Sequence, residues 1–290
     1  MLKTKETFSF SGFGAWRAHV KDHFNGAQDI LFVPTMGALH EGHGDLIRAA
    51  RKMADSLSPR ASHVVVSVFI NPTQFDDKSD FAAYPASPEK DVRLAQQSGA
   101  DAVVFPGVSE MYPQGVPDRA EPVEYGALTG TLEGAGRPGH FDGVVTVVRN
   151  LLEQVRPRWA FFGEKDWQQL AVIKRLAELE FQGLTIVPVP TKREHGGLAM
   201  SSRNQRLSEL ERKKALALHE GLIKVALSSD PLAECARVSA VLESKGFEVE
   251  YLSVADGATL EPEWVPGRMR VFVAARLGGV RLIDNVACSG

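Results

Sequence analysis

The chain has 290 residues, 44% of them hydrophobic and 24% charged, which is ordinary for a globular protein that buries a core. Its 33 basic and 36 acidic residues are spread along the chain, and the lack of a long basic block argues against a nucleic-acid partner. No apolar run approaches the roughly 20 residues that span a bilayer, so we expect no membrane partner.

Apolar, β-branched runs alternate with amphipathic stretches over the first two-thirds of the chain. The predicted strands cover residues 29–34, 62–70, 100–106, 158–163 and 184–190. Apolar residues at helical spacing predict helices over residues 43–55, 88–98, 140–156 and 165–180. Because such alternation builds a parallel sheet covered on both faces, we predict a Rossmann-like α/β domain with a doubly wound parallel sheet over residues 1–191.

The pattern changes after residue 191. The capping-box pattern Ser208-x-x-Glu211 predicts the start of one helix, and Pro231 the start of another. The predicted elements are helices over 209–229 and 232–245, strands over 247–256 and 268–277, and a hairpin that turns at Gly278–Gly279. We therefore predict a smaller C-terminal α+β domain over residues 192–290, which would serve as a lid, with the boundary loop at a cleft between the domains.

The cysteines and the N-terminus indicate the compartment. Cys235 and Cys288 are the only cysteines and lie far apart in sequence, which argues against a structural disulfide or a cysteine-rich zinc site. The first 20 residues interrupt their apolar positions with polar ones and lack the apolar core of a signal peptide. We expect a cytoplasmic protein.

The stretch PTMGALHEGHGDLI, residues 34–47, places two histidines just after a predicted strand and at the start of a helix. The first turn of a helix favours anions, and Gly37 and Gly42 allow a phosphate close to the backbone. His40 and His43 can donate to phosphate oxygens as charge builds up in a transition state. In isolation, however, a surface turn or a helix cap explains the tetrapeptide better. A zinc pair is discounted, because the metalloprotease spacing H-E-x-x-H is one residue longer.

Four further polar clusters lie at the carboxyl ends of predicted strands or in the boundary loop. Four unrelated surface loops would not explain this shared placement. The clusters are FINPTQF (69–75), LEGAGRPGHFDG (132–143), FGEKDWQQ (162–169) and MSSRN (200–204). Taken in order with PTMGALHEGH, YP, MYP and RLIDN, these motifs resemble the pantoate–β-alanine ligases of the H-x-G-H nucleotidyltransferase superfamily. The resemblance covers nearly the whole chain.

The resemblance implies an ATP-dependent ligase that condenses pantoate with β-alanine. A pantoyl-adenylate would be the intermediate, and AMP and pyrophosphate would be released. Adenylation is needed because a carboxylate has no adequate leaving group at neutral pH, and catalysis of this step is mostly positioning and charge neutralisation. The resemblance also implies Mg²⁺ carried on the ATP phosphates and a homodimer.

Individual site residues follow from the same resemblance. The catalytic residues would be His43, His40, Lys165 and Arg203. The ATP site would comprise Met36, Gly37, Ala38, Leu39, His40, Glu41, Gly42, His43, Gly163, Glu164, Lys165, Asp166, Lys192, Met200, Ser201, Ser202 and Arg203. Substrate would be bound by Gln74, Gln169, Asn71 and Arg137, and Asp91 would lie near the metal.

The chemistry of the side chains suits these roles. Asp166 can accept from both ribose hydroxyls, and the Arg203 fork can donate to phosphate. A carboxamide such as Gln74 or Gln169 both donates and accepts, so it can bind a hydroxyl and a carboxylate without carrying charge. We expect Trp167 to be a packing residue and not to stack on the base, and we expect Gln168 to face solvent.

This chain departs from the family pattern at several positions. Gly44 follows His43 where an apolar helix former is usual, which lowers helix propensity by about 1 kcal/mol. Gly196 stands where aspartate is usual. Lys90 and Leu94 stand where relatives carry polar residues associated with the metal, so direct protein ligation of Mg²⁺ is in doubt.

Three alternative functions remain open at this point. A nucleotidyltransferase of the same superfamily would keep the nucleotide in its product, whereas the ligase would release free AMP. A fragment related to aminoacyl-tRNA synthetases would bind tRNA, which the acidic net charge opposes. A non-catalytic nucleotide sensor would bind ATP without turnover of any acid.

Overall fold

A computed structural model of the protein describes residues 7–23, 29–57, 62–74, 87–117 and 120–289. The chain divides into two compact units. The first is drawn from Met1–Val123, Arg137–Gly163 and Val172–Val189, and the second from Glu124–Gly136, Glu164–Ala171 and Pro190–Gly290. The two internal segments of the second unit come from inside the first two-thirds of the chain, so the single division at residue 191 stays a prediction.

Helices over the described residues alternate with strands as expected for an α/β chain. They are α1 Phe13–His23, α2 Glu41–Ser56, α3 Pro88–Ser98, α4 Val108–Met111, α5 Ala127–Gly130, α6 Glu133–Gly136, α7 His140–Val155, α8 Trp167–Glu180, α9 Glu209–Leu227 and α10 Pro231–Ser244. Three single 3₁₀ turns are also found, at Pro72–Gln74, Glu164–Asp166 and Ser202–Arg206.

The first unit contains a six-stranded parallel sheet. Its strands are β1 Phe8–Phe10, β2 Asp29–Thr35, β3 Ser62–Val68, β4 Ala102–Val104, β5 Trp159–Gly163 and β6 Thr185–Val189. The spatial order is β1-β4-β3-β2-β5-β6, and every adjacent pair is parallel. The Rossmann-like α/β class is therefore confirmed. In this unit the sequence pattern missed the short edge strand β1 and the helices α1 and α4.

The strand order creates a switch point beside β2. The chain adds β3 and β4 on one side of β2 and then returns to place β5 on the other side. In open α/β sheets, loops that leave the carboxyl ends of strands diverge at such a point and leave a crevice for ligands. The histidine motif follows β2, and the segment with Lys165 follows β5, so both begin at this position in the sheet.

Apolar burial on both faces explains why the sheet is stable. Leu31 and Val33 point to one face, where they pack in a cluster with Ile47 of α2. Phe32 and Val65, on the opposite face, are also fully buried. Both faces of the sheet are covered, as a near-continuous apolar strand requires.

The second unit contains a three-stranded antiparallel sheet, β7 Glu248–Asp256, β8 Met269–Leu277 and β9 Val280–Ala287, in that order. Its apolar face packs with α9 and α10 around Leu222, Leu242 and Val273. The turn at Gly278–Gly279 has φ of +56° and +74°, as a two-residue hairpin requires. The predicted capping box at Ser208 and the helix start at Pro231 are confirmed. Among the described residues, no helix combines the length and apolar character needed to cross a membrane.

Candidate functional site

The turn between β2 and α2 adopts an unusual backbone conformation. Gly37 has φ +83° and Ala38 has φ +50°, a region that costs a residue with a side chain about 1–3 kcal/mol. A Cβ on Gly37 would lie 3.0 Å from Cγ1 of Val68, so the turn requires glycine there. The Gly37 amide donates to Oγ1 of Thr35 at 3.3 Å, which ties the turn to the end of β2.

Asp91, in the first turn of α3, holds the same turn from the other side. Its Oδ1 accepts from the amide of Leu39 at 2.7 Å, and its Oδ2 accepts from the amide of Ala38 at 3.2 Å. The residue is only 2% exposed. Burial raises the pKa of the Asp91 carboxyl, although the hydrogen bonds from Leu39 and Ala38 act in the opposite direction.

His40 and His43 form a reciprocal cap at the start of α2. His40 is the N-cap residue, and its Nδ1 accepts from the amide of Gly42 at 3.1 Å. Nδ1 of His43 accepts from the amide of His40, also at 3.1 Å. The helix therefore begins at Glu41, two residues earlier than predicted, because the imidazole supplies the acceptor that a serine or aspartate usually provides.

The cap determines the tautomer of both histidines. A ring nitrogen that accepts a hydrogen bond carries no proton, so the proton of each neutral imidazole lies on Nε2. The two ring centroids are 4.1 Å apart. The structure thus brings together two Nε2–H donors at the N-terminal end of α2, where the helix dipole attracts anions.

Glu41, the first residue of α2, is paired within its own helix. Its carboxylate binds the guanidinium of Arg48 at 2.7 Å, and more than half of the Glu41 side chain is exposed. Arg48 also binds Asp45 at 2.6 Å, so the two carboxylates share one cation. This pairing reduces the repulsion that Glu41 would exert on an anion at the helix start.

A hydrogen-bonded hub fixes the turn Pro72–Gln74 within the first unit. Asn71 is fully buried, and its Oδ1 accepts from the hydroxyl of Tyr112 at 2.6 Å and from Oγ1 of Thr73 at 3.0 Å. Its Nδ2 donates to the carbonyl of Gly143 at 3.2 Å. Both ends of the Asn71 amide are thus engaged within the protein. The side chain of Gln74 lies outside the described residues.

Gly143 permits this hub because it brings α7 against the turn. A Cβ on Gly143 would lie 2.5 Å from the carbonyl oxygen of Thr73, which no side chain could tolerate. At the start of the same helix, Arg137 contacts Nε2 of His140 at 3.0 Å. The motifs NPTQ, MYP and RPGHFDG therefore converge within the first unit.

In the second unit, the turn Glu164–Asp166 is held by β9. Nδ2 of Asn285 donates to the carbonyl oxygens of Glu164 and Lys165, both at 2.9 Å. Nζ of Lys165 lies 3.3 Å from Oδ1 of Asp166. Asn285 is in turn oriented by Arg270, which donates to Oδ1 at 2.7 and 2.9 Å.

The start of α8 contains one confirmed prediction and one error. Trp167 has a packing role, as predicted: it is partly buried against the apolar cluster around Phe272, and its Nε1 donates to the carbonyl of Gly257 at 2.6 Å. Gln168 does not face solvent: it is 4% exposed and donates to the carbonyls of Leu128 and Thr131. A buried carboxamide can satisfy backbone carbonyls of a short neighbouring helix and its end, and the polarity of Gln168 alone does not indicate such partners. Gln169 is half-buried.

The segment that contains Glu133 is attached to the sheet of the second unit by an ion pair. Arg281 of β9 binds both carboxylate oxygens of Glu133 at 2.7 Å. The Tyr251 hydroxyl donates to Glu133, also at 2.7 Å, and burial together with this carboxylate raises the pKa of Tyr251. The pair is buried and fully hydrogen-bonded, the geometry in which such a pair is retained at least cost.

The loop that carries MSSRN is held by a second ion pair. Arg193 binds Asp284 at 2.6 and 2.9 Å and also donates to the carbonyl of Gly197 at 2.9 Å. Nδ2 of Asn204 donates to Glu194 at 2.8 Å. Ser201 caps the turn Ser202–Arg206 by accepting from the amide of Arg203.

The predicted site residues on this loop are accessible to different degrees. Lys192 is exposed, and its carbonyl accepts from the amide of Met200 at 2.9 Å. Met200, Ser201, Ser202 and Arg203 are half-buried. Sequence reasoning identified the binding candidates but missed the residues that hold them. Tyr112, Gly143, Asp284 and Asn285 belong to motifs that were recognised, yet nothing local to those motifs reveals their partners.

Comparisons with known proteins agree along nearly the whole chain. The family model described as Pantoate-beta-alanine ligase matches residues 10–287. A pantothenate synthetase of Acidiphilium cryptum (strain JF-5) is 47% identical over 279 residues, which covers 94% of this chain and 96% of that protein. The crystal structure of pantothenate synthetase from Thermus thermophilus has a TM-score of 0.82 at 40% identity, covering 97% of this chain and 99% of that one. Pantoate-beta-alanine ligase from Francisella tularensis, complexed with beta-gamma ATP and beta-alanine, has a TM-score of 0.80 at 32% identity, covering 97% and 98%.

Proposed function

Because the chain belongs to the pantoate–β-alanine ligase family, we propose that it condenses pantoate with β-alanine in an ATP-dependent reaction. The carboxylate of pantoate attacks the α-phosphorus of ATP and displaces pyrophosphate. The amine of β-alanine then attacks the acyl carbon of the pantoyl-adenylate and displaces AMP. Without the first step the leaving group would be oxide. Adenylation makes AMP the leaving group, and amide formation becomes feasible at neutral pH.

The observation that carries this proposal is the reciprocal histidine cap at the switch point of the sheet. Nδ1 of each imidazole accepts a hydrogen bond from a backbone amide, which leaves the proton on Nε2 of His40 and of His43. Two such donors at a helix start are suited to the charge that develops on a phosphate during displacement. Since the donors are held by the cap itself, they require little reorganisation when ATP binds.

The remaining ATP contacts are proposed from the resemblance and from the chemistry of the side chains. The turn at Met36–Leu39 and Gly42 would lie against the nucleotide, where the absence of a side chain at Gly37 and Gly42 permits close approach. Gly163, Glu164 and Asp166 would bind the ribose, and Lys165 the phosphates. Lys192 and the loop Met200–Arg203 would bind the triphosphate through hydroxyl and guanidinium donors.

For pantoate we propose Gln74 and Gln169 as the direct contacts, with Arg137 attracting its carboxylate. Asn71 is now proposed as a positioning residue. Its amide is fully engaged by Tyr112, Thr73 and Gly143, and its side chain is fully buried, so it supports the Gln74 turn without reaching a ligand.

Magnesium is proposed to arrive on the ATP phosphates and not at a resident protein site. Within the described residues, no group of three or more His, Cys, Asp or Glu side chains could hold a metal ion. Both oxygens of Asp91 accept from backbone amides. The resemblance also places Lys90 and Leu94 where the family pattern has polar residues. This arrangement does not fit direct ligation. The homodimer and the cytoplasmic location stay predictions.

Pyrophosphate–ATP isotope exchange tests the first step. We expect exchange that requires pantoate and the release of free AMP once β-alanine is added; retention of the nucleotide in the product would identify the nucleotidyltransferase alternative. Absence of exchange in well-folded protein would refute the proposal.

A matched substitution separates capping from catalysis at His43. In His43→Asn, the amide oxygen can replace Nδ1 as the cap acceptor while the Nε2 donor is lost. We expect normal helix content and a loss of about 10²- to 10³-fold in exchange rate. Full activity of His43→Asn would count against the role of Nε2.

A further inference from the structure

We propose that Asp91 is a positioning residue, which holds the backbone of Gly37–Leu39 in the conformation that presents His40 and His43, and that it is not a ligand of magnesium. This inference rests on the proposed function, because its consequences are measured in the adenylation step. It concerns a carboxylate that the resemblance alone would associate with the metal.

The geometry around Asp91 supports this role. Both of its oxygens lie within hydrogen-bond distance of consecutive amides, at 2.7 Å from Leu39 and 3.2 Å from Ala38. Oδ2 would be 3.2 Å from a Cβ on Gly37, so the carboxylate also limits the space beside the turn. With 2% exposure, Asp91 lacks the open coordination positions that a hydrated magnesium ion requires.

The turn needs this support because its backbone is strained. Ala38 has φ +50°, a conformation that only glycine adopts without cost. The amide that follows, at Leu39, makes the shorter of the two hydrogen bonds to Asp91. The next residue, His40, begins the cap that determines both tautomers. A relaxed turn would therefore displace the Nε2 donors, although no group that touches ATP would have been removed.

The first experiment measures the turn directly. In Asp91→Asn one oxygen remains as an acceptor, but the amide NH₂ faces a backbone N–H. We expect thermal stability within about 5 °C of the wild type and hydrogen exchange in the segment 37–40 faster by about 10- to 100-fold. Glu89→Gln is the matched control, because it removes an exposed carboxylate from the first turn of the same helix. Unchanged amide exchange in Asp91→Asn would overturn the proposal.

The second experiment separates positioning from metal binding. Pantoate-dependent exchange is measured while free Mg²⁺ is varied at constant MgATP. A positioning role predicts a rate about 10- to 100-fold lower with the same half-saturating Mg²⁺ concentration. A rise of about 10-fold or more in that concentration, with the rate restored at high Mg²⁺, would overturn the proposal.

The third experiment relieves the strain at Ala38. Glycine adopts positive φ readily, so in Ala38→Gly the conformation of the turn should depend less on its hydrogen bonds to Asp91. In a double-mutant cycle, we expect Ala38→Gly to recover about 3- to 10-fold of the rate lost in Asp91→Asn. Strictly additive effects would contradict the positioning role, because a metal ligand gains nothing from a relaxed turn.

The role of Asp91 stays testable if Asp91→Asn does not fold, and also if the wild-type protein shows no exchange. If Asp91→Asn does not fold, Asp91→Glu replaces it: a longer carboxylate can still bind a metal but cannot accept from both amides, so near-wild-type activity would overturn the proposal. If the wild-type protein shows no pantoate-dependent exchange, the proposed function fails, whereas hydrogen exchange at 37–40 still tests the role of Asp91.

Discussion

Asp284 binds the guanidinium of Arg193 through both carboxylate oxygens, at 2.6 and 2.9 Å, and the Asp284 side chain is only 4% exposed. Arg193 also donates to the carbonyl of Gly197. The pair thereby links β9 to the loop that leads into MSSRN, and it explains the aspartate of the RLIDN motif as a structural anchor.

Removal of the Asp284 carboxylate should therefore destabilise the second unit. Asp284→Ala leaves Arg193 without its buried counterion, and we expect the free energy of unfolding to fall by about 3–5 kcal/mol. Chemical denaturation measures this change. Glu234→Ala is the control, since it removes a surface pair with Arg237 at 2.7 Å and should cost about 0–1 kcal/mol. Equal effects of the two substitutions would contradict the anchor role.

Gly143 should be intolerant of any side chain. In Gly143→Ala the new methyl group would lie 2.5 Å from the Thr73 carbonyl oxygen, so the turn Pro72–Gln74 must move away from α7. We expect a loss of about 1–3 kcal/mol of stability and a KM for pantoate that rises several-fold more than the KM for ATP, because Gln74 lies on the displaced turn.

A glycine in open space provides the comparison for Gly143. Gly14, in α1, has no atom within 4 Å of a built Cβ. Gly14→Ala should therefore leave both KM values unchanged. If Gly143→Ala alters the two KM values equally, the turn is not specific to pantoate.

Gly44 should tolerate alanine, although it lies beside the histidine cap. A Cβ there would approach the end of the Arg48 side chain at 2.9 Å and Oγ of Ser98 at 3.0 Å. The guanidinium is flexible and can move, while alanine gains up to about 1 kcal/mol of helix propensity. We expect Gly44→Ala to raise Tm slightly, as measured by calorimetry; a decrease of several degrees would mean that the Arg48–Ser98 contact cannot be displaced.

The stability of the protein should depend on pH through His219. Burial lowers the pKa of His219, and the positive charge of Arg193 acts in the same direction. The unfolded chain therefore binds more protons than the folded one just below the ordinary value of 6.5. The contribution of His219 to the free energy of unfolding is fully present above this pH, and it is lost as the pH falls through the pKa of His219 in the folded protein. In His219→Gln, the slope of unfolding free energy against pH should be smaller in this window.

Glu180 affects a lower pH range and provides a comparison for His219. The hydrogen bond from Arg149 lowers the pKa of Glu180, so its contribution is present above the ordinary value of 4.5 and is lost as the pH falls further. Glu180→Gln should therefore alter the slope only below about pH 4.5. An unchanged slope in His219→Gln just below pH 6.5, together with an altered one in Glu180→Gln there, would contradict the assignment.

Polar residues show where sequence reasoning was sufficient and where it was not. His40 and His43 were identified because their spacing and their place after a strand carry local meaning. The resemblance predicts Asn71 as a substrate contact but does not reveal that its amide binds Gly143, 72 residues away, and Tyr112, 41 residues away. Gln168 was expected in solvent for the same reason: polarity indicates hydrogen bonding but not with which partner.

The sequence by itself determined the elements whose causes are local. Strand–helix alternation, the capping box at Ser208 and the Gly278–Gly279 hairpin depend on periodicity and on the conformations that neighbouring residues permit. Only the tertiary structure decided which polar side chains hold distant segments in place. Each buried donor or acceptor must find a partner, and for Asp91 or Asn285 that partner comes from a distant part of the chain.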